Sequence, residues 1–381
     1  MRRLAFLTTM LAHIACGGDP ATASRDVAAT VDAMFEVRED ASDVQDAGSD
    51  LAVDLAPHDL LDVPAPDPWE TADGGVDLPP DLPEVPDDAE VAEVQPDAAD
   101  DAATPPAPLA IRFMAANLTS GNLQSYDPGH GIRLMAACRP DVILIQEFNY
   151  RDDTTADYRA MTDAVCGTTC TWHTGAGQIP NGVVSRWPIV ETGAWDDPNI
   201  DNRDLDWVRV DLPGARDLVA ISVHLHTSPA GDQLAAAQVV AHMVSEYRAA
   251  HPDCCYYVVG GDFNGPAAVS DAGFGAWNGE AVFHVTGPHP VGNDGSPGTN
   301  AGRDDQYDFV LFDPALEALR TPLVATAADG SAQLAYPDGL VFDSRDYTQA
   351  ELDSFFPPAL VDDSGASNMQ HMGVLRSVAI P

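Results

Sequence analysis

From Leu109 onward the sequence predicts an α/β domain in which two sheets pack as a sandwich. Short runs rich in Val, Ile and aromatic residues recur at least eight times, each bounded by Gly, Pro or Asp. Few long helical stretches separate them. A simple parallel sheet needs a crossover helix between successive strands, so that architecture does not fit and two packed sheets do. No internal repeat is evident.

In chain order the predicted strands are IRFMAANL, DVILIQEF, NGVVSRWPIV, LDWVRVDL, DLVAISVHL, YYVVGGDF, YDFVLFD and HMGVLRSVAI. Helices are expected at GIRLMAACR, around Asp157–Val165, and along QLAAAQVVAHMVSEYRAAH. The last of these places Leu234, Val239, Met243 and Tyr247 within one broad stripe. Trp187, Trp195, Trp207 and Trp277 are expected in the core rather than as platforms for nucleic-acid bases.

Residues 17–108 differ in kind. They hold 25 acidic residues against Arg25 and Arg38, in a short-period mixture of Asp, Pro, Ala and Val. No helical or strand period lasts long enough to bury a face, so an extended, disordered acidic linker is expected. Residues 1–16, MRRLAFLTTMLAHIAC, place two Arg before a dozen apolar residues and then Cys16-Gly-Gly. The apolar run is too short for a permanent membrane span and has the layout of an export signal. Its end resembles a bacterial lipobox, with His13 where an apolar residue is usual. The alternative is ordinary cleavage after Ala21-Thr22-Ala23. On the first reading Cys16 is lipidated and residues 17–108 tether residues 109–381 to the cell envelope; on the second the protein is secreted.

The chain carries 60 Asp and Glu against 18 basic residues, every one an Arg, for a formal charge of −42. Residues 109–381 alone carry net −21. Such a surface has few partners for a polyanion, which excludes a predominantly structural nucleic-acid binder. Five cysteines follow Cys16. Cys166 and Cys170 are expected to pair locally or with Cys254 or Cys255, leaving at least one thiol free; Cys138, in an apolar segment, is expected to be buried. No regular Cys/His spacing accompanies them, so zinc is not expected.

Chemistry gathers at the strand ends. Asn117, Glu147, His224, His226, Asp262 and Asn264 each follow an apolar run, Asp308 opens one, and His371 stands just before the last. A carboxylate at a buried strand tip is costly unless paired or metal-bound, and several on one set of tips point to a shared site. Glu147 and Asp262 are hard oxygen ligands of the kind Mg²⁺ or Mn²⁺ takes. Histidines suit proton transfer or stabilisation of a phosphorane, and a carboxylate such as Asp308 can orient one. The set suits metal-assisted hydrolysis of a phosphoester.

QEFN (146–149), SVHL (222–225), GGDFN (260–264), YDFVL (307–311) and MQHM (369–372), in this order, resemble the endonuclease/exonuclease/phosphatase superfamily. That group includes pancreatic-type deoxyribonucleases, abasic-site endonucleases, sphingomyelinases and inositol polyphosphate phosphatases. The resemblance covers about residues 109–381 and implies a four-layer α/β sandwich of two mixed or antiparallel sheets flanked by helices. It implies Glu147 as principal Mg²⁺ ligand with Asn117 beside it, and Asp262 positioning or deprotonating water. Asn264 would bind the scissile phosphate, His224 would contact a phosphate oxygen, and His371 would form a dyad with Asp308. His226 is the rival for the first-histidine role, since His226-Thr-Ser-Pro is similar to the deoxyribonuclease version of this strand; alternation along a strand would put both imidazoles on one face. Asn300 and Arg303 are candidates for substrate contact.

Two positions depart from the pattern. Gln370, a candidate metal-site residue through its remaining amide oxygen, stands where the family has an Asp that binds metal or water, and Thr119 stands where many of its nucleases have an acid. The expected activity is an exported phosphodiesterase or phosphomonoesterase, a nuclease included, acting as a monomer and meeting membrane only through its anchor. The alternative, resting on Gln370, is a non-catalytic surface module that retains the fold. If Cys16 is the anchor, metabolic labelling with palmitate disappears on Cys16→Ser; persistent labelling refutes lipidation there.

Overall fold

The computed structural model describes residues 107–265, 275–277, 282–283 and 287–381. The export signal, Cys16 and the acidic linker up to residue 106 lie outside the described residues. Within them the architecture is the α/β sandwich, two sheets face to face with helices against their outer sides.

Strand β1 (Leu109–Ala116) pairs in parallel with β2 (Val142–Ile145) and antiparallel with β14 (Gly373–Ile380). The short strands β3 (Thr171–Thr174) and β4 (Gly182–Ser185) extend this first sheet beyond β2. On its other side β14 also pairs with β10 (Arg320–Thr321) and β13 (Leu340–Phe342). The second sheet runs β5 (Ile189–Trp195), β6 (Leu205–Val210), β7 (Asp217–His224), β8 (Cys255–Asp262) and β9 (Asp308–Phe312), with only β7 and β8 parallel. A separate hairpin joins β11 (Leu323–Thr326) to β12 (Gln333–Tyr336).

The two-residue period of a strand assigns its residues to opposite faces. In β7, Leu218 and Ala220 join one buried cluster with Phe113 and Leu144 of the first sheet, while Val219, Ile221 and Val223 join the other. In β9, Val310 and Phe312 separate from Phe309 and Leu311 in the same way. The first cluster fills the space between the sheets and reaches α1 (His130–Cys138) and α2 (Thr155–Cys166). The second is closed by α3 (Ala230–Ala250).

Three sequence expectations change. NGVVSRWPIV is not one strand: the chain leaves the first sheet at Ser185 and enters the second at Ile189, with Pro188 between, which has no N–H to continue a ladder. The buried face of α3 is not the stripe of large residues. Gln233, Ala236, Ala237, Val240, Ala241 and Val244 point inward, and Leu234, Val239, Met243 and Tyr247 flank them half-buried. Small residues let the helix lie close to the sheet, so size misled the reading of the pattern. Strands β10 to β13 and the helix α4 (Gln349–Phe355) were not anticipated between residues 313 and 372. Cysteines pair as neighbours, Cys166 with Cys170 and Cys254 with Cys255, leaving Cys138 as a buried thiol.

A buried polar tie between the sheets lies next to the site. Gln146, fully buried just after β2, donates from Nε2 to Ser222 Oγ on β7 at 2.8 Å, and Ser222 Oγ donates to the Ile145 carbonyl at 2.8 Å. The glycine pair before Asp262 leaves room for this. A Cβ on Gly260 would sit 2.5 Å from Leu144 Cδ1 across the sandwich. A Cβ on Gly261 would lie 2.5 Å from Gln146 Nε2 and collide with the Val223 carbonyl, at a backbone φ of +138°. Gly261→Ala is therefore expected to cost at least about 1–3 kcal/mol, read as a lower urea midpoint; an unchanged midpoint would contradict this close approach.

Candidate functional site

Strand register assembles the site. His224 lies opposite Asp262 where β7 and β8 end, and Asp262 lies opposite Asp308 where β9 begins. Asn117 follows β1 and Glu147 follows β2, the parallel pair of the first sheet. Because β14 is antiparallel to β1, its start, preceded by His371, comes to the same edge. All six residues are buried.

Asp262 is the hub. Its Oδ2 accepts from Asn117 Nδ2 at 3.0 Å and faces His224 Nε2 at 3.4 Å and His371 Nε2 at 3.3 Å. Its Oδ1 accepts the backbone N–H of Asn264 at 2.8 Å. His371 in turn meets Asp308 Oδ2 through Nδ1 at 2.8 Å. The imidazole of His371 thus lies between two carboxylates, and its ligand atoms and theirs fall within 4.8 Å of one another.

The charges follow from this placement. Burial opposes ionisation of His371, but Asp262 and Asp308 outweigh it and raise the imidazole to about 10. Burial also works against an anionic Asp262, yet His371 and His224 leave it below the ordinary carboxylate value. Asp308 is raised, by burial first, with His371 restoring part. His224 is different: burial drives it down to about 3, only partly offset by Asp262, so it is a neutral donor at physiological pH. One imidazolium and one neutral imidazole therefore flank the same carboxylate.

Glu147 is held by neutral donors. Thr119 Oγ1 donates to Oε2 at 2.5 Å, and Gln124 Nε2 and Asn117 Nδ2 donate to Oε1 at 3.1 and 3.3 Å. Burial pushes its carboxyl up against those hydrogen bonds. Among the described residues none forms an ion pair with it. Arg133 is paired with Asp363 and Arg303 with Asp343. A buried carboxylate with neutral hydrogen bonds, joined through the Asn117 amide to a second one, has the donor chemistry of a hard divalent-cation site. These residues fit such an ion.

Other candidates lie elsewhere. His226 is past the end of β7, half-exposed, and its Nδ1 accepts from the Ser228 backbone N–H at 3.1 Å. Strand alternation stops at His224, so register does not put the two imidazoles on one face; His224 faces Asp262, whereas His226 Nδ1 lies 3.8 Å from Asp232. Asn264 gives one amide N–H to the Leu225 carbonyl at 2.8 Å. Asn300 closes its own loop on Asp304, and Arg303 is spread over Gly298, Asp294, Asp343 and Asp346. Gln370 is exposed beside buried His371.

Two supports were not legible from sequence. Arg203 donates from Nε to the His224 carbonyl at 2.6 Å and from Nη2 to the Leu225 carbonyl at 2.9 Å, clamping the end of β7. Thr299 Oγ1 accepts from the Tyr307 and Asp308 N–H groups, and its carbonyl accepts from Met372 N at 2.6 Å. Thr299 thereby ties both halves of the Asp308–His371 pair. Each sits in a loop without periodicity, where sequence carries no signal.

Residues 123–329 match the model of the Endonuclease/Exonuclease/phosphatase family. The chain belongs to that family. Its members are hydrolytic phosphoesterases. No curated protein matches the chain by sequence. Among solved structures it is similar to a family protein from Beutenbergia cavernae (19% identity, TM-score 0.45, 71% of this chain and 72% of that one). It is also similar to one from Bacteroides vulgatus (16%, 0.45, 72% and 100%) and to a mannosyl-6-phosphatase from Bacteroides thetaiotaomicron (13%, 0.44, 70% and 98%).

Since the folded His371 titrates above its unfolded value near 6.5, its charge adds stability that is complete below pH 6.5 and is lost as pH rises toward 10. Melting curves of wild type and His371→Gln should be furthest apart at or below pH 6.5 and converge toward pH 10. A gap that widens with pH would contradict an imidazolium between two carboxylates.

Proposed function

We propose that this protein is an exported, divalent-metal-dependent phosphoesterase that cleaves phosphodiester or phosphomonoester bonds by attack of water. The observation that carries the reading is the Asp308–His371–Asp262 chain beside Glu147. Glu147 and Asn117 would hold Mg²⁺ or Mn²⁺. Such an ion neutralises phosphate charge and makes an oxygen easier to displace.

The protein's own groups do the rest. Asp262, kept anionic by its histidines, takes the proton of an attacking water. His371 presents a positive N–H edge where charge builds on the phosphorane oxygens, and Asp308 fixes the ring by its 2.8 Å contact. His224, neutral, donates a hydrogen bond to a phosphate oxygen without adding charge. None of these roles needs Gln370, so the non-catalytic reading gains no support from the site. Lipid anchoring through Cys16, with residues 17–108 as tether, belongs to the same proposal and rests on sequence.

The full chain with Mg²⁺ or Mn²⁺ is expected to hydrolyse bis-p-nitrophenyl phosphate, to lose this with EDTA, and to fall by about 10²–10⁴ in kcat in His371→Ala. His226→Ala should stay within a few-fold of wild type. No metal-dependent turnover of bis-p-nitrophenyl phosphate, p-nitrophenyl phosphate or plasmid DNA would sink the enzyme reading; turnover indifferent to His371→Ala would sink the site.

A further inference from the structure

Away from the Asp262 cluster, the carboxylate with the least support is that of Asp206, on β6. It is fully buried, yet neither of its oxygens has a hydrogen-bond partner. Among the described residues it faces one ionisable group, His173 on β3. The His173 Nε2 lies 3.6 Å from Asp206 Oδ1, too far for a hydrogen bond, and is itself buried without a partner. Burial raises the Asp206 carboxyl, with His173 offsetting part of the shift.

A third such atom belongs to the same place. Asn181 is fully buried, and its Nδ2 donates to the Asp204 carbonyl at 2.6 Å. Its own backbone carbonyl accepts from Gly175 N at 2.8 Å. The residue therefore spans from the segment that follows His173 to the segment that precedes Asp206, and its Oδ1 has no partner. Gly175 lets the groups approach: a Cβ there would sit 2.0 Å from Asp206 Oδ2.

Buried acceptors gathered without a donor are costly unless a cation joins them. A proton shared between His173 and Asp206 would draw the two to about 2.7–2.9 Å. Two donors held by one Zn²⁺ at about 2.0–2.1 Å each stand roughly 3.3 Å apart. The 3.6 Å separation is nearer the second figure. Imidazole together with carboxylate suits a transition ion better than Mg²⁺ or Ca²⁺.

We propose that Asp206, His173 and Asn181 form a structural site for Zn²⁺ or a similar divalent transition ion, separate from Glu147. Cysteine and histidine spacing is silent about it, because β3 and β6 belong to different sheets. The ion ties the edge of the first sheet to the second. Gly177, between β3 and β4, bridges Arg203, and Gln178 N donates to the Asn202 carbonyl at 2.9 Å. Arg203 in turn clamps the end of β7 at His224. Binding here stiffens the support of that histidine without touching substrate.

The test uses the full chain, stripped of metal and dialysed against Zn²⁺, in the Glu147→Gln background so that the proposed catalytic ion does not contribute. This variant should retain one Zn²⁺ per chain and melt higher with zinc than without. Adding Asp206→Asn or His173→Ala should each weaken zinc binding by at least about tenfold and abolish the rise in melting temperature. His173 is partly exposed on the edge strand of its sheet, so its truncation keeps the test open if Asp206→Asn fails to fold. Zinc binding unchanged in the double variants, or no zinc-dependent rise in Glu147→Gln, would overturn the proposal. No step reads turnover, so the outcome is independent of the phosphoesterase reading.

Discussion

Everything at the site depends on keeping one carboxylate, that of Asp262, charged inside protein. An unpaired buried anion would cost several kcal/mol. Here Asn117, His224 and His371 crowd one oxygen and the Asn264 N–H caps the other. Those partners come from both sheets. The register of β7, β8 and β9, the approach of β1 and the placement of the start of β14 are thus all conditions on a single ion. A slip of one residue in any pairing would turn a partner to the other face.

The Gln146–Ser222 tie serves the same end. It fixes one sheet against the other a residue away from Glu147 and two from His224. Gly261 has to be bare for the Gln146 side chain to pass. The glycine before Asp262 and the glutamine before Glu147, which in sequence look like separate signatures, are two sides of one contact.

Much of this was legible beforehand, for a physical reason. Apolar runs that stop at a polar residue mark where a buried strand reaches a cleft, so Asn117, Glu147, His224, Asp262, Asp308 and His371 could be read off strand ends. What was hidden lies where that logic fails. His226 looked equivalent to His224 because nothing in the residue string shows that β7 ends two positions earlier. Pro188 marks a change of sheet, yet the flanking residues stay apolar and mimic one strand. Ala236, Ala237 and Ala241 face the core because helix and sheet lie close, a fact of packing that residue size points away from. Arg203 and Thr299 work through backbone groups from loops, and no pattern announces them. The charge count, too, needed the structure. Arg133, Arg303, Arg345 and Arg376 are each engaged with carboxylates of the protein itself, so the Arg-only cationic set largely braces the fold.

The position of β14 has a temporal consequence. It comes after every other described strand in chain order, yet it lies inside the first sheet, between β1 and β10, and is preceded by His371. Until residues 371–380 have emerged from the ribosome, β1 has an open edge and Asp308 faces no imidazole. The Asp308–His371 pair and a closed first sheet therefore arrive in the same event, at the last described strand.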